Sequence, residues 1–341
     1  MLTTKQVKYV REQLATAKNP IFFYDADGDG LSSFLLLYRM HREGKGIAIR
    51  TTNEIDKLLL RKIDELQPDK VFILDIPLVP DIFFDQVKLP VFWIDHHSPQ
   101  EPKNCKYFNP RIKKPNSYIP TSRMCWQLST RKEDLWIATA GSLADYHMPS
   151  FINSFIKKYP DFLDRKKPLP ETVFQSPVSE LVKLLFFLQK GKSSEVKKSI
   201  RILTRIKSPQ EIFSELSSPG KFLHKRYIKI NQQYQELLEE AKKHVTKGKL
   251  LLFPYTEKKM SFTSNLANEL ASTYPKKYIV ITRRKDKLMM CSFRGKNVLQ
   301  LLTQALDGIN GKGGGHEDAC GAVINSDDWD KFLGQFKEAM P

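Results

Sequence analysis

The stretch NPIFFYDADGDGLSSFLLLYRMHREG, residues 19 to 44, holds a short apolar run, then three aspartates at alternate positions, Asp25, Asp27 and Asp29. After them comes a longer run with apolar residues at helical spacing that stops at a glycine. This order predicts strand, loop and helix, the opening of an α/β unit with the aspartates at the carboxyl end of the strand. Three neighbouring carboxylates repel one another, and a buried cluster of them is costly unless it is protonated or met by cations. An EF-hand reading of DADGDG fails, because the following chain is apolar and the twelfth position, where a bidentate Glu belongs, is Leu36.

Outward from this stretch the alternation continues. KGIAIRTT (45–52), EIDKLLLRKIDEL (54–66), KVFILDIPL (70–78), PDIFFDQV (80–87) and PVFWIDHHS (90–98) read as strands and helices in turn, which predicts a doubly wound, mostly parallel sheet. Two of these strands end in polar groups after four apolar residues: Asp75 in one, and Asp95, His96 and His97 in the other. Ligands of open parallel sheets bind at that edge, where strand ends and helix N-termini converge. PTSRMCWQLS (120–129) and DLWIATAGSLADYHMPSF (134–151) predict two further helices, the second with Asp145 on an otherwise apolar face.

Residues 148–170 are rich in Pro, Lys and aromatic residues and read as a connecting segment, followed by lysine-rich helices. After Gly248 strands and helices resume. The expected organisation is a metal-binding catalytic domain over 1–150, a helical connector over 151–247 and a smaller α/β domain over 248–341, with a cleft between the domains.

The 341 residues carry 55 Lys and Arg against 38 Asp and Glu, a formal charge of +17, which biases encounters toward polyanions, nucleic acid first. The four cysteines are scattered and predict reduced thiols. No apolar run approaches a membrane span, so the expectation is a soluble cytoplasmic protein.

Carboxylates with one or two imidazoles suit a hard to borderline divalent ion such as Mn²⁺, with Mg²⁺ as the alternative, rather than a thiolate-loving metal. A pair of such ions about 3.5–4 Å apart can activate water for in-line attack on a phosphate, and two ions sharing a carboxylate would account for the number of acids.

DADGDGLSS (25–33), LDIP (74–77), IDHH (94–97) and AGSLAD (140–145), followed by GGGHEDACGAV (313–323), together resemble the DHH phosphoesterase superfamily with its associated C-terminal domain. The DxDxDG pattern is similar to RecJ-type single-strand exonucleases, including their archaeal relatives. The resemblance implies metal-ligand roles for Asp27, Asp29, His96 and Asp145, and for Asp75 as the carboxylate bridging two ions. Asp25 occupies a position that some relatives fill with histidine and counts among the candidate ligands. His97 would face the substrate phosphate, with Asp95 orienting the histidine pair. Gly313, Gly314 and Gly315 would bring backbone amides close to an anion, with Arg294 and His316 on a phosphate or sugar. The implied activity is release of mononucleotides from single-stranded DNA or RNA. The alternatives are a nanoRNase, a phosphatase of small nucleotides such as adenosine bisphosphate, or a partner protein of a replication or fork-repair helicase.

Overall fold

Strand β1 (Ile21–Asp25) explains the position of the aspartates. Its first four side chains are at most 1% exposed, so the chain meets solvent only where the apolar run ends. The computed structural model describes residues 1–50, 54–163, 169, 171–256 and 260–341. The end of the strand expected over 45–52, and residues 164–168 and 170 of the connecting segment 148–170, lie outside the described residues.

The chain divides into two compact units, Met1–Tyr227 and Ile228–Pro341. In the first, β1 is flanked by β2 (Lys45–Ile49) and β3 (Val71–Leu74), followed by β4 (Val91–Ile94) and β5 (Lys106–Phe108). The strand order is β2-β1-β3-β4-β5, all parallel. Register stacks Phe22, Phe72 and Phe92 across neighbouring strands, with ring centroids 5.2 and 5.0 Å apart. Tyr9 of α1 (Thr4–Ala15) and Phe34 of α2 (Gly28–His41) cover that face. Phe23, Ile73 and Trp93 point to the other face, into a core with α3 (Ile55–Leu66) and α4 (Asp81–Gln86). Burial on both faces is why these strands read as unbroken apolar runs, each large side chain contributing about 1.5–3 kcal/mol.

The functional edge depends on a second layer. Helix α6 (Leu135–Ala144) is buried along its whole length and packs against α2, α5 (Thr121–Leu128) and α9 (Val178–Phe187). Small residues let α2 and α6 approach: a Cβ on Gly28 would lie 2.6 Å from that of Ala144, and one on Gly141 2.4 Å from that of Ser32. The pair is also tied at its far end, where buried Arg39 contacts Asp134 at 2.7 Å and donates to the Leu203 carbonyl. Helices α7 (Ile152–Lys158), α8 (Glu171–Gln175), α10 (Ser193–Leu203) and α11 (Pro209–Phe213) belong to the same unit. The stretch expected as a separate connector therefore contributes much of its length to the first unit, because α9 buries Val178, Leu181, Leu184, Leu185 and Phe187. The 26-residue α12 (Ser218–Lys243) contains the division between the units.

The second unit holds a mixed sheet of order β6-β7-β8-β10-β9, parallel only between β6 (Leu250–Tyr255) and β7 (Tyr278–Lys285). Strands β8 (Leu288–Arg294), β9 (Gly311–His316) and β10 (Ala319–Asn325) are antiparallel to their neighbours. Helix α13 (Thr263–Thr273) packs on β7 and β8, while α14 (Val298–Ala305) and α15 (Trp329–Ala339) bury Phe332 and Phe336 against Phe293. All four cysteines are free, and no described helix is long and apolar enough to cross a membrane.

Candidate functional site

In strand order 2-1-3-4-5 the connections from β1 and β3 leave in opposite directions, and the crevice between these two strand ends is the favoured ligand position. Asp25 ends β1 and Asp75 follows β3. Asp27 caps α2, its Oδ1 accepting the Gly30 amide at 2.8 Å, and Asp29 lies in the first turn, where the helix dipole favours an anion. Gly30 is required by the tightness of this turn: a Cβ there would sit 2.3 Å from the Asp25 carbonyl oxygen.

Asp29 is fully buried, and both its oxygens accept amides from the start of α5, Thr121 at 2.7 Å and Ser122 at 2.9 Å. Each oxygen keeps a further lone pair, so the amides aim the carboxylate without using it up. Asp75 has φ +63°, a left-handed conformation that Asp tolerates better than most residues. Its Oδ1 accepts the Thr121 hydroxyl at 3.0 Å, while its buried Oδ2 has no hydrogen-bond partner among the described residues.

His96 sits between two acids, its Nε2 3.1 Å from Asp145 Oδ2 and 3.3 Å from Asp75 Oδ1. Asp145 reaches this point because it ends α6, whose close approach to α2 sets the distance. His97 Nδ1 lies 2.7 Å from Asp95 Oδ1, and Asp95 is itself held by Tyr107 and Asn109. Candidate ligand atoms of Asp75, His96 and His97 lie within 4.8 Å of one another, and so do those of Asp29, His96 and Asp145. The structure thus brings Asp29, Asp75, His96 and Asp145 together and adds His97 to the possible donors. Asp25 and Asp27 lie outside these two groups but close enough to act on them by charge.

Burial, and then mutual repulsion, raises the carboxyls. Asp25 and Asp29 move to about 7 and Asp145 to about 8, and Asp75 rises well above the ordinary range, pushed further by Asp29 and Asp27. His96 is lowered by burial. His97 moves up to about 9, because the Asp95 hydrogen bond and charge outweigh burial. Oxygen donors with one or two imidazoles, a buried acceptor without a partner and four acids held off their ordinary protonation state fit divalent cations.

Several contributors carried no signal in the sequence reading. Thr121 anchors both Asp29 and Asp75. Gln189 donates to the Asp27 carbonyl at 2.6 Å. Tyr118, 46% exposed, stands edge-on to His96 with ring centroids 5.5 Å apart. A single exposed aromatic shortly before the start of a helix has no period to reveal it.

In the second unit, Gly313, Gly314 and Gly315 belong to β9, an edge strand paired with β10. Arg294 of β8 and His316 of β9 both register with Ala319, which puts them on one rung about 10 Å apart. The Arg294 guanidinium is oriented by Asn268 Oδ1 at 2.6 Å and by the carbonyls of Phe293 and Cys320. Gly313 and Gly315 have internal reasons to lack a side chain: a Cβ would lie 2.9 Å from Leu302 Cδ2 at the first and 2.6 Å from the Ala319 oxygen at the second. Gly314 has none, since nothing lies within 4 Å of its Cβ position.

Residues 251–340 match the DHHA1 domain family. The structure superposes on RecJ in complex with Mn²⁺ from Thermus thermophilus with a TM-score of 0.70 at 14% identity, covering 98% of this chain and 54% of that one. The chain has a RecJ-like fold. A second exonuclease RecJ, bound to manganese, matches over 100% of this chain and 96% of its own at TM-score 0.62 and 14% identity. CDC45 from Entamoeba histolytica matches at TM-score 0.60 and 10% identity, over 98% of each chain. No curated protein sequence matches the chain. This chain spans only about half of the Thermus RecJ.

Proposed function

We propose that this DHH-fold protein is a metal-dependent phosphodiesterase that removes mononucleotides from single-stranded DNA or RNA. The observation that carries the reading is that two groups of candidate ligands, one with Asp75 and one with Asp29 and Asp145, share His96, while the buried Asp75 Oδ2 has no partner among the described residues. In this reading Asp27, Asp29, Asp75, His96 and Asp145 hold two divalent cations, Mn²⁺ by the imidazole among the donors, and Asp25 adds charge at the rim. When bound, such ions activate water and offset charge on the phosphate oxygens. His97, held protonated and aimed by Asp95, donates a hydrogen bond to a phosphate oxygen as negative charge develops there. Tyr118 offers an exposed ring for a terminal base, and Tyr118→Ala is expected to raise KM about tenfold with kcat little changed. Gly314, Arg294 and His316 receive the nucleotide's anionic end. The charge of +17 favours a polyanionic substrate.

A Mn²⁺-dependent time course on end-labelled DNA and RNA strands, from dimers to about thirty nucleotides, tests this directly, with Asp75→Asn beside it. Asn keeps the shape and tolerates the left-handed backbone, where Ala would add strain. A ladder from long strands, absent in the variant, is the expected result. Cleavage confined to dimers and trimers would make the protein a small-nucleotide hydrolase. No Mn²⁺-dependent turnover on any substrate would leave a binding role, such as a partner of a helicase, as the better reading.

A further inference from the structure

Strand β2 forms one edge of the first sheet, and among the described residues no strand covers it. Lys45 donates its amide to the Pro20 carbonyl and Ile49 accepts the Ala26 amide, so in a parallel ladder Lys45, Ile47 and Ile49 turn their main chain toward β1. Gly46 and Ala48 therefore direct theirs away from the sheet. Such an edge is a template for another strand, and natural folds usually cover or distort it.

This edge is neither covered nor flat. It forms the floor of a trough of about 610 Å³, with α3 as one wall and α10 as the other. Leu58, Lys62 and Leu66 recur every four residues along α3. Val196, Lys197, Ile200 and Arg201 occupy one face of α10. Both walls are apolar at depth and cationic at the rim. Lys45, Arg50, Lys62, Lys197 and Arg201 line the trough, and among the described residues no acidic one does. Lys62 also pairs with Glu65, and Arg50 donates to the Gln189 carbonyl at 2.5 Å.

We propose that the trough along β2 binds an acidic, extended segment of a partner protein, which adds as a strand to the Gly46–Ala48 edge. A strand beside the five residues of β2 would run about 17 Å, alternate side chains meeting the apolar walls of α3 and α10 while acidic ones reach the rim. The rim charge selects an acidic occupant. A nucleic-acid strand fits less well, because it would need exposed aromatic faces. Tyr24 and Phe34 are buried and stacked on each other at 4.8 Å, and Phe34 packs in turn against half-buried Tyr38.

The test is selection of a displayed random dodecapeptide library on the full chain, followed by anisotropy measurements with the enriched peptides. Acidic sequences with alternating apolar residues should emerge. Their affinity should fall at least tenfold in Lys197→Glu/Arg201→Glu and in Ala48→Pro, which removes an outward amide but no ladder bond. Methylation of alternate peptide amides should also abolish binding, and that measurement leaves the protein unchanged. Melting curves and hydrolytic activity of both variants should match the parent. Failure to enrich acidic peptides overturns the proposal, as does binding that survives amide methylation. So does an oligo-dT strand that binds the parent, loses affinity in the charge-reversed variant and displaces no peptide.

Discussion

The acidic corner of the first unit and the glycine strand of the second both hold residues that stability alone would not select, but they differ in what they cost. The corner buries Asp29 and Asp75 completely or nearly so and holds Asp25, Asp29 and Asp145 at about 7 to 8, so the fold carries an electrostatic penalty while no cation is bound. Gly314 lies on an exposed strand with open space beside it and costs the fold little. A ligand must therefore act on the first region through stability as well as chemistry, and on the second through recognition alone.

The largest effect expected is at Asp75. Asp75→Asn should lower Mn²⁺-dependent turnover on the order of 10³-fold and raise the melting temperature of the metal-free protein, since one of the repelling charges is removed. Lower turnover together with lower metal-free stability would contradict the picture of a corner under electrostatic load. Asp95→Asn should reduce kcat about 10²-fold. It should also move the basic limb of the pH–rate profile down from near 9, because His97 would lose the carboxylate that keeps it charged. An unmoved limb would mean that His97 is not the group being read.

The pH dependence of stability sharpens the contrast. Asp25, Asp29 and Asp145 bind protons more tightly folded than unfolded, so their contribution is greatest near pH 4 and is lost as pH rises through 7 to 8. His97 acts in the same direction up to about 9, while His96, lowered from 6.5, opposes it below that value. In a chelator the melting temperature should fall by about 5 °C or more between pH 5 and pH 8.5, and Mn²⁺ should restore it at the upper end. A flat metal-free profile would show that the acids are not loaded. The smallest effect is at Gly314: Gly314→Val should leave the melting temperature within about 1 °C while raising KM about tenfold. Gly313→Val should lower stability, because its Cβ meets Leu302 and Ala322.

The strand-end acids were legible because a strand buried on both faces has one place to put a polar residue, the end where it leaves the core. Asp145 was visible for a related reason, as an acid on an apolar helix. The close contact of α2 with α6 was not, since Gly28 meets Ala144 and Ser32 meets Gly141 across more than a hundred residues and leaves no local period. Thr121 was hidden because its amide, which every residue but proline has, anchors Asp29. That the glycines of β9 lie in a strand was not legible, because glycine has little strand preference of its own and pairing with β10 decides the outcome. The helices after residue 171 looked like a solvated connector because their lysines dominate the composition, although the apolar face of α9 is core.

The crossing of α2 and α6 gives the molecule a genetic vulnerability of its own. One methyl group at Gly141 would press on Ser32 and on Ser122, whose amide aims Asp29, and would disturb the approach of Asp145 to His96. A screen for temperature-sensitive alleles should therefore return small-residue positions of this crossing, with defects that excess manganese suppresses, rather than the aspartates themselves.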